Sequence, residues 1–525
     1  MTEPSPAQVP TARPPVARLV VWLAPLLVLA VALHAVDIYP VGVAYDDAVY
    51  VAIAKALATG RGYRYLHLPG TPFAAHFPPG YPFFLSLLWR LAPAFPANVL
   101  LFKVANAALV AVAAVWLARL ARERFALTAP QAAMASVVAA IGVPTLVLSA
   151  LVLSEPLFLA VALPALLLAE RVVEGERRVA WLVGAGLVAG AATLVRTHGV
   201  VLVAAVVLLL VLPRRRIRDA IWYAAGAALL VAPWQWWMHT HAGGLAAPLE
   251  GTFGPYLAWW ISAMREGGVH FFLGTVAGTI RRIATLLSIL LAPVNVRGAG
   301  YVALVPGLAL AALGAWSARR AAPVTLLFLA FYFGIVIVWP YSPTRFVWGV
   351  WPLLVALALL GLRALWRWEP PSPLPPRLRV WLLVAAAIPV AGYLRYNVRG
   401  YANAWWETIP RARADQLRTL VMKVRAATPP DAVLAGTDDV AIYLYTGRQA
   451  VLSAPLSAAA FLRPLTVSQN AQVLREILQA YRVTAVIAIS GDQAAAADLL
   501  VAHRPPLLAL TDSFPGGLIY SPLPR

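Results

Sequence analysis

The chain has 525 residues, of which 61% are hydrophobic and only 12% charged, and its mean hydropathy is +0.75. Soluble domains are roughly half apolar and a quarter charged, so a water-soluble fold could not bury this much apolar surface. The formal charge of +20 does not imply a nucleic-acid partner, because the basic residues lie in short loops between apolar runs and not on one soluble face. Cysteine is absent, which excludes disulfides, zinc–thiolate sites and a cysteine nucleophile.

The N-terminal segment, Met1 to Arg18, is polar and proline-rich. The apolar run behind it has no small-residue cleavage pattern, so it reads as a retained first span. Runs of about 17–25 apolar residues, each able to cross a hydrocarbon core about 30 Å thick, then predict about eleven spans. Their approximate limits are 18–36, 98–118, 130–149, 154–170, 180–195, 199–212, 220–238, 301–317, 323–339, 346–362 and 379–394. Arg13 and Arg18, the Arg119, Arg122 and Arg124 group, Arg171, Arg177 and Arg178, Arg214 to Arg216, Arg319 and Arg320, and Arg363, Arg367, Arg377 and Arg379 then share one side. By the positive-inside rule that side is cytoplasmic. The long loops 37–97 and 239–300 and the tail from about 396 fall opposite. Tryptophans at these borders (Trp234, Trp236, Trp237, Trp259, Trp260, Trp405, Trp406) read mostly as interfacial anchors.

The first outer loop opens with AYDDAVYVAIAKALATGRGY. It places Asp46 and Asp47 just past the first span, where carboxylates facing lipid are unfavourable. Either the pair caps the following helix, or one acid faces a common site; adjacent helical residues point about 100° apart, and Asp46 is the inward choice. The loop ends in HFPPGYPFFLSLLWRL, whose double proline makes an extended segment along the membrane border. His76 is delivered to the site by it, or is a solvated residue at a rigid joint.

LVLSEPLFLAVALP puts Ser154 and Glu155 at the outer start of the fourth span. Cap, first-turn acid and early proline also make an ordinary helix start. Arg196 and His198, in TLVRTHGVVLV, mark a tight outer reversal between two short spans. The stretch 270–292 carries Arg281 and Arg282 at its centre and reads as an interfacial helix, since another crossing would invert every later loop. Arg345, in SPTRFVWGVWP, opens the tenth span. Arg196 and Arg345 are both positive-outside exceptions, which call for an acid or an anion, or for snorkelling to lipid phosphate.

EPPSPLPP (369–376) reads as a stiff cytoplasmic connector. From 396 onward, AVLAG (432–436), IYLY (442–445), a helix near 470–481, TAVIAIS (484–490), a helix near 493–503 and LLAL (507–510) alternate as strands and helices. TDD (437–439) and YTGR (445–448) read as polar loop features that touch an acceptor or are plain turn chemistry. No GxGxxG or P-loop is present, and no internal repeat supports a transporter built on paired halves. The expected organisation is a mostly α, polytopic transmembrane domain over 1–395 and a small extracytoplasmic α/β domain over 396–525.

Asp46 and Asp47, PPGYP (78–82), SEPLF (154–158), LVRTHG (194–199) and RFVWGVWPLL (345–354), in this order and on one side, resemble the GT-C membrane glycosyltransferases. The likeness is to the branch of lipid A aminoarabinose transferases and protein O-mannosyltransferases, and it covers roughly the first 365 residues. It implies inverting transfer of a sugar from a polyprenyl-phosphate donor to an envelope acceptor (lipid, glycan or protein) at the outer face of a bacterial inner membrane. Asp46 would be the general base, with Asp47 and Glu155 the other acids of the site. His76, Arg196, His198 and Arg345 would bind substrate, the arginines at the departing phosphate. No local cluster demands a metal, although Glu155 leaves room for a divalent ion where relatives hold one. His76 stands close to where relatives carry a lysine before the double proline, and a protonated imidazole there would make activity pH-sensitive near pH 6–7. A transporter or flippase for a lipid-linked anion is the competing reading.

Overall fold

A computed structural model describes residues 15–291, 299–366, 375–455 and 465–524. Arg13, Arg367 and residues 369–374 of the proline-rich connector lie outside them.

Helix α1 (Pro15–His34) leads into the loop 37–97, which contains α2 (Asp46–Ala58) and α3 (Gly80–Leu91). Behind it run α4 (Val99–Glu123), α5 (Ala129–Ala140), α6 (Val143–Ala150), α7 (Glu155–Glu174) and α8 (Val179–Val195). A single 3-10 turn, Thr197–Gly199, reverses the chain into α9 (Val200–Val211), followed by α10 (Ile217–His241). Next come α11 (Ala247–Phe253), α12 (Tyr256–Leu291), α13 (Ala299–Ala318), α14 (Pro323–Val338), α15 (Thr344–Trp366) and α16 (Pro376–Ala402).

Six described helices are long and apolar enough to cross a membrane, and seven candidates result if the bent pair α5–α6 is counted as one span. That pair covers the expected span 130–149, but it breaks by 59° at Gly142 and the following proline, whose ring and missing amide donor do not continue a helix. α8, α9 and α14 are shorter apolar helices; the 16 residues of α14 reach about 24 Å at 1.5 Å per residue, less than the hydrocarbon thickness. α12 covers the stretch expected to lie at the interface, and it passes the same length and hydropathy test. It is two helices joined at Gly268, whose φ of 53° and ψ of −146° are not helical.

Polar side chains fix the helix ends on the arginine-rich side. Glu170 accepts from the amides of Val324 (3.2 Å) and Thr325 (2.8 Å), capping α14. Arg216 donates to the carbonyls of Val172 and Glu176 where α7 ends, meeting backbone acceptors that have no partner within the helix.

Past α17 (Trp405–Ala427) comes a five-stranded sheet of β1 (Val433–Gly436), β2 (Gln449–Leu452), β3 (Ala485–Ala488), β4 (Leu508–Phe514) and β5 (Gly517–Pro522), in the order β2-β1-β3-β5-β4. β2, β1 and β3 are parallel; β3, β5 and β4 are antiparallel. Between them lie α18 (Asp439–Thr446), α19 (Val467–Tyr481) and α20 (Gly491–Val501). The run IYLY is therefore helical and not a strand. A four-residue apolar run does not distinguish the two, and Gly447 at φ 78° ends the helix in the left-handed conformation. TDD opens this helix, so its second aspartate is not in a loop. Arg448 is buried and donates to the carbonyls of Pro429, Arg425 and Thr428.

The sheet sits against the first outer loop. The amide of Ala450 on β2 donates to the carbonyl of His67 at 2.8 Å, and the Gln449 side chain donates to the carbonyl of Leu68 at 3.1 Å. This segment thus lies along the outer strand of the sheet and covers part of its edge.

Candidate functional site: a four-membered ion cluster at the loop 37–97

The two adjacent aspartates do different work. The Asp47 carboxylate is buried and accepts from the amides of Gly42 (2.9 Å), Ala44 (3.2 Å) and Ala48 (2.9 Å). It ties the incoming loop to the first turn of α2, which is structural work of the capping kind, and its acceptor sites are taken. Asp46 has none of these bonds; its carboxylate is held by the guanidinium of Arg345.

Arg345 reaches Asp46 from the first turn of α15 and also grips Glu155 with two bonds, Nε to Oε1 at 2.7 Å and Nη2 to Oε2 at 3.1 Å. A bidentate pair of this kind fixes direction as well as distance. Arg196, at the end of α8, forms a second ion pair with Glu155 Oε1 at 2.7 Å and donates to the Ser154 hydroxyl at 3.1 Å. Ser154 does not cap α7 with its side chain. The ordinary helix-start account of Ser-Glu-Pro is therefore incomplete: the hydroxyl serves the cluster, where it also meets Tyr50 at 3.4 Å. Of the partners expected for Arg196 and Arg345, an acid or an anion, the structure supplies an internal acid to each.

Two acids and two arginines make the cluster formally neutral. Side-chain exposure rises along it from Glu155 (0%) and Arg196 (9%) to Arg345 (23%) and Asp46 (33%). The chain segments converge because Gly80 lets the PPGYP turn pack directly on LVRTHG: a Cβ there would come within 2.8 Å of the Leu194 carbonyl oxygen.

His76 lies beside this cluster with its ring centroid 3.8 Å from that of Tyr256. Its Nδ1 is 2.5 Å from the carbonyl of Gly254 and so carries the proton of a neutral ring. Burial pushes its pKa down to about 4. The expected protonation near pH 6–7 is thus opposed by desolvation. His198 packs against Phe346 and Tyr332, with centroids at 4.6 and 5.5 Å, as an aromatic neighbour of Arg196.

Several contributors went unread in the sequence. Lys103 on α4 pairs with Asp37 at 2.5 Å and donates to the Tyr39 carbonyl at 2.8 Å, fixing the start of the outer loop. A lysine inside an apolar span was a readable signal. Asn106, one turn on, donates to the carbonyls of Leu151 and Leu153 just ahead of Ser154 and accepts from Tyr81. Tyr50 and Tyr256 carried no comparable signal.

Among the described residues no group of three or more His, Cys, Asp or Glu could hold a metal ion. Asp46 and Glu155 do not fit one as they stand, because the Arg345 guanidinium already occupies the position of a cation between them.

A family model described as dolichyl-phosphate-mannose-protein mannosyltransferase matches residues 76–237, a segment that contains His76, Glu155, Arg196 and His198. No curated protein matches the chain by sequence. Among solved structures, ArnT from Cupriavidus metallidurans in the apo state aligns with a TM-score of 0.58 at 15% identity, over 96% of this chain and 98% of that one. Bound to undecaprenyl phosphate, ArnT aligns at 0.57 and 16% identity, over 97% and 98%. The oligosaccharyltransferase of Archaeoglobus fulgidus in complex with Zn and sulfate aligns at 0.55 and 14%, over 92% of this chain and 70% of that one. The chain shares the fold of these solved structures and resembles the mannosyltransferase family over the matched segment.

Proposed function

We propose that the protein transfers a sugar from a polyprenyl-phosphate donor to a hydroxyl of an envelope lipid, glycan or protein, with inversion, at the outer face of a bacterial inner membrane. The observation that carries this reading is the Arg345 bridge between Asp46, the most exposed member of the cluster, and buried Glu155. The acceptor O–H gives its proton to the Asp46 carboxylate as its oxygen attacks the anomeric carbon. The bond from that carbon to the phosphate oxygen breaks, and the electron pair leaves on the phosphate. Arg345 and Arg196 are the donors aimed at that developing charge, and Glu155 holds both guanidinium groups in place.

The neutral cluster gives this scheme an order of events. The donor phosphate and Asp46 compete for Arg345, so donor binding releases the carboxylate that acts as base. ArnT's complex with undecaprenyl phosphate supports the choice of donor class. The arrangement with about eleven spans, a division near residue 395, a cytoplasmic N-terminus and an outer C-terminal domain belongs to the same reading. It rests on the one-sided arginine loops.

Mass spectrometry of envelope lipids and glycans with and without the gene tests the function, reporting sugar and acceptor together. An unchanged envelope, with no transfer by purified protein from any polyprenyl-phosphate sugar, would sink it. A periplasm-active reporter fused after Arg525 tests the orientation, and activity only from a cytoplasm-active reporter would overturn it.

A further inference from the structure

Helix α18 of the C-terminal sheet region touches residues 41–45 at three points. The Tyr445 hydroxyl accepts from the amide of Val41 at 2.8 Å. Ala441 packs so closely on Gly42, itself at φ 111°, that a Cβ on Gly42 would lie 3.0 Å from the Ala441 Cβ. At the start of the helix, the Asp439 carboxyl faces the Tyr45 hydroxyl without forming a well-aligned hydrogen bond.

Tyr45 is the residue immediately before Asp46, and its backbone is unusual. Its φ of 61° and ψ of −59°, with the amide of Asp46 donating to the carbonyl of Ala44 at 2.7 Å, form a γ-turn of the rarer, strained hand. A bulky non-glycine residue holds such a conformation only where its surroundings enforce it. The Asp47 carboxylate makes residues 42–48 one bonded unit, but nothing in that unit fixes where it sits.

Asp439 is completely buried and unusually placed for an acid. Its nearest basic neighbour is His67 Nε2 at 3.6 Å, from the loop segment lying along β2, and that ring is also completely buried. Neither the carboxyl oxygens nor the ring nitrogens form a well-aligned hydrogen bond to protein. Burial drives the Asp439 pKa well up and that of His67 down to about 3, disfavouring the charged form of each. At 3.6 Å and without hydrogen-bond alignment the His67 contact does not account for Asp439, whose carboxyl lies instead at the Tyr45 hydroxyl, on the residue whose backbone sets the direction of Asp46.

We propose that α18 is a positioning element for Asp46: Tyr445, Ala441 and Asp439 seat the segment 41–45 and keep the strained turn at Tyr45 formed, so that the C-terminal region completes the site without touching substrate. The proposal rests on Asp46 being the reactive acid, and its first readout does not require the reaction.

The test is hydrogen exchange on the full-length protein in lipid nanodiscs, without substrate. Asp439→Ala is expected to raise exchange at the amides of 42–48 while β1 and β3 stay protected, and Asp439→Asn, a neutral isostere, is expected to restore protection. In steady-state assays kcat should fall on the order of 10²-fold for Asp439→Ala, with KM for the donor little changed and Asn rescuing. Tyr45→Phe serves if Asp439→Ala does not fold, and should loosen the same segment. Wild-type protection of 42–48 in these variants, or loosening spread equally through the sheet, would overturn the proposal. Failure of this idea alone appears as unchanged exchange in a protein that Asp46→Asn inactivates. Failure of the glycosyltransferase reading alone appears as the expected exchange pattern in a protein that transfers no sugar.

Discussion

The guanidinium of Arg345 donates to the carboxylate of Asp46, 299 positions earlier in the chain, and this contact joins the loop 37–97 to the start of α15. Asp46 is held on this side chain alone, whereas Asp47 is bound by three backbone amides. Asp46→Asn should therefore lower the transfer rate by about 10²–10⁴-fold, as loss of a placed base does, with little effect on thermal stability. Asp47→Asn should instead lower the melting temperature. Kinetics and melting of the two purified variants check this, and the reverse pattern would exchange their roles.

Glu155 is the keystone of the charges. It is fully buried between Arg196 and Arg345, and removing one partner of a buried pair leaves an uncompensated charge. Glu155→Ala should lose about 3–5 kcal/mol of stability, seen as low yield or early thermal unfolding in detergent. Arg345→Ala should be milder, since Glu155 keeps Arg196 and Asp46 is partly exposed. Equal destabilisation by both would contradict the gradient of burial.

How much of this was legible depended on the kind of signal. Asp46, Glu155, Arg196 and Arg345 stood out because ionisable residues at a membrane border are rare and need a partner. The pairing itself was not legible, because it joins loops and helices far apart in sequence. Lys103 could have been found by the same reasoning as Arg345. The helicity of 439–446 was obscured because a short apolar run fits strand and helix equally. Tyr45 and His67 had no signal at all: their importance comes from backbone geometry and from burial under the C-terminal sheet.

Protonation of His67 and His76 should weaken the loop that carries them. His67 and His76 have folded pKa values of about 3 and about 4, below an unfolded value of about 6.5. A depressed folded pKa stabilises above the unfolded value, and that contribution is lost as pH falls toward the folded one. Each imidazole therefore removes about 1.4 kcal/mol per pH unit below pH 6.5. Asp439, whose raised pKa acts in the opposite direction, is present in both proteins, so melting curves of wild type and His67→Gln between about pH 7.5 and about pH 5 isolate the ring, and the wild type should lose more stability than His67→Gln below about pH 6.5. An unaltered slope in His67→Gln would mean that the buried ring does not resist protonation.

The competition at Arg345 makes a less obvious prediction about binding. Two arginines balanced by two acids offer the donor phosphate no net charge. On the proposed mechanism the phosphate would gain Arg345 only as Asp46 gave it up, so Asp46 would oppose donor binding. Asp46→Asn, inactive in transfer, should then bind polyprenyl phosphate more tightly than the wild type. Couplings between ligand and competing group typically amount to about 1–3 kcal/mol, or roughly 5–150-fold in affinity. Titration of polyprenyl phosphate into nanodisc-reconstituted wild type, Asp46→Asn and Arg345→Ala measures it directly. The expected order of affinity is Asp46→Asn, then wild type, then Arg345→Ala. If Asp46→Asn bound no better than wild type while Arg345→Ala bound normally, phosphate would be recognised elsewhere, and the ion cluster would be a structural lock between the first outer loop and α15.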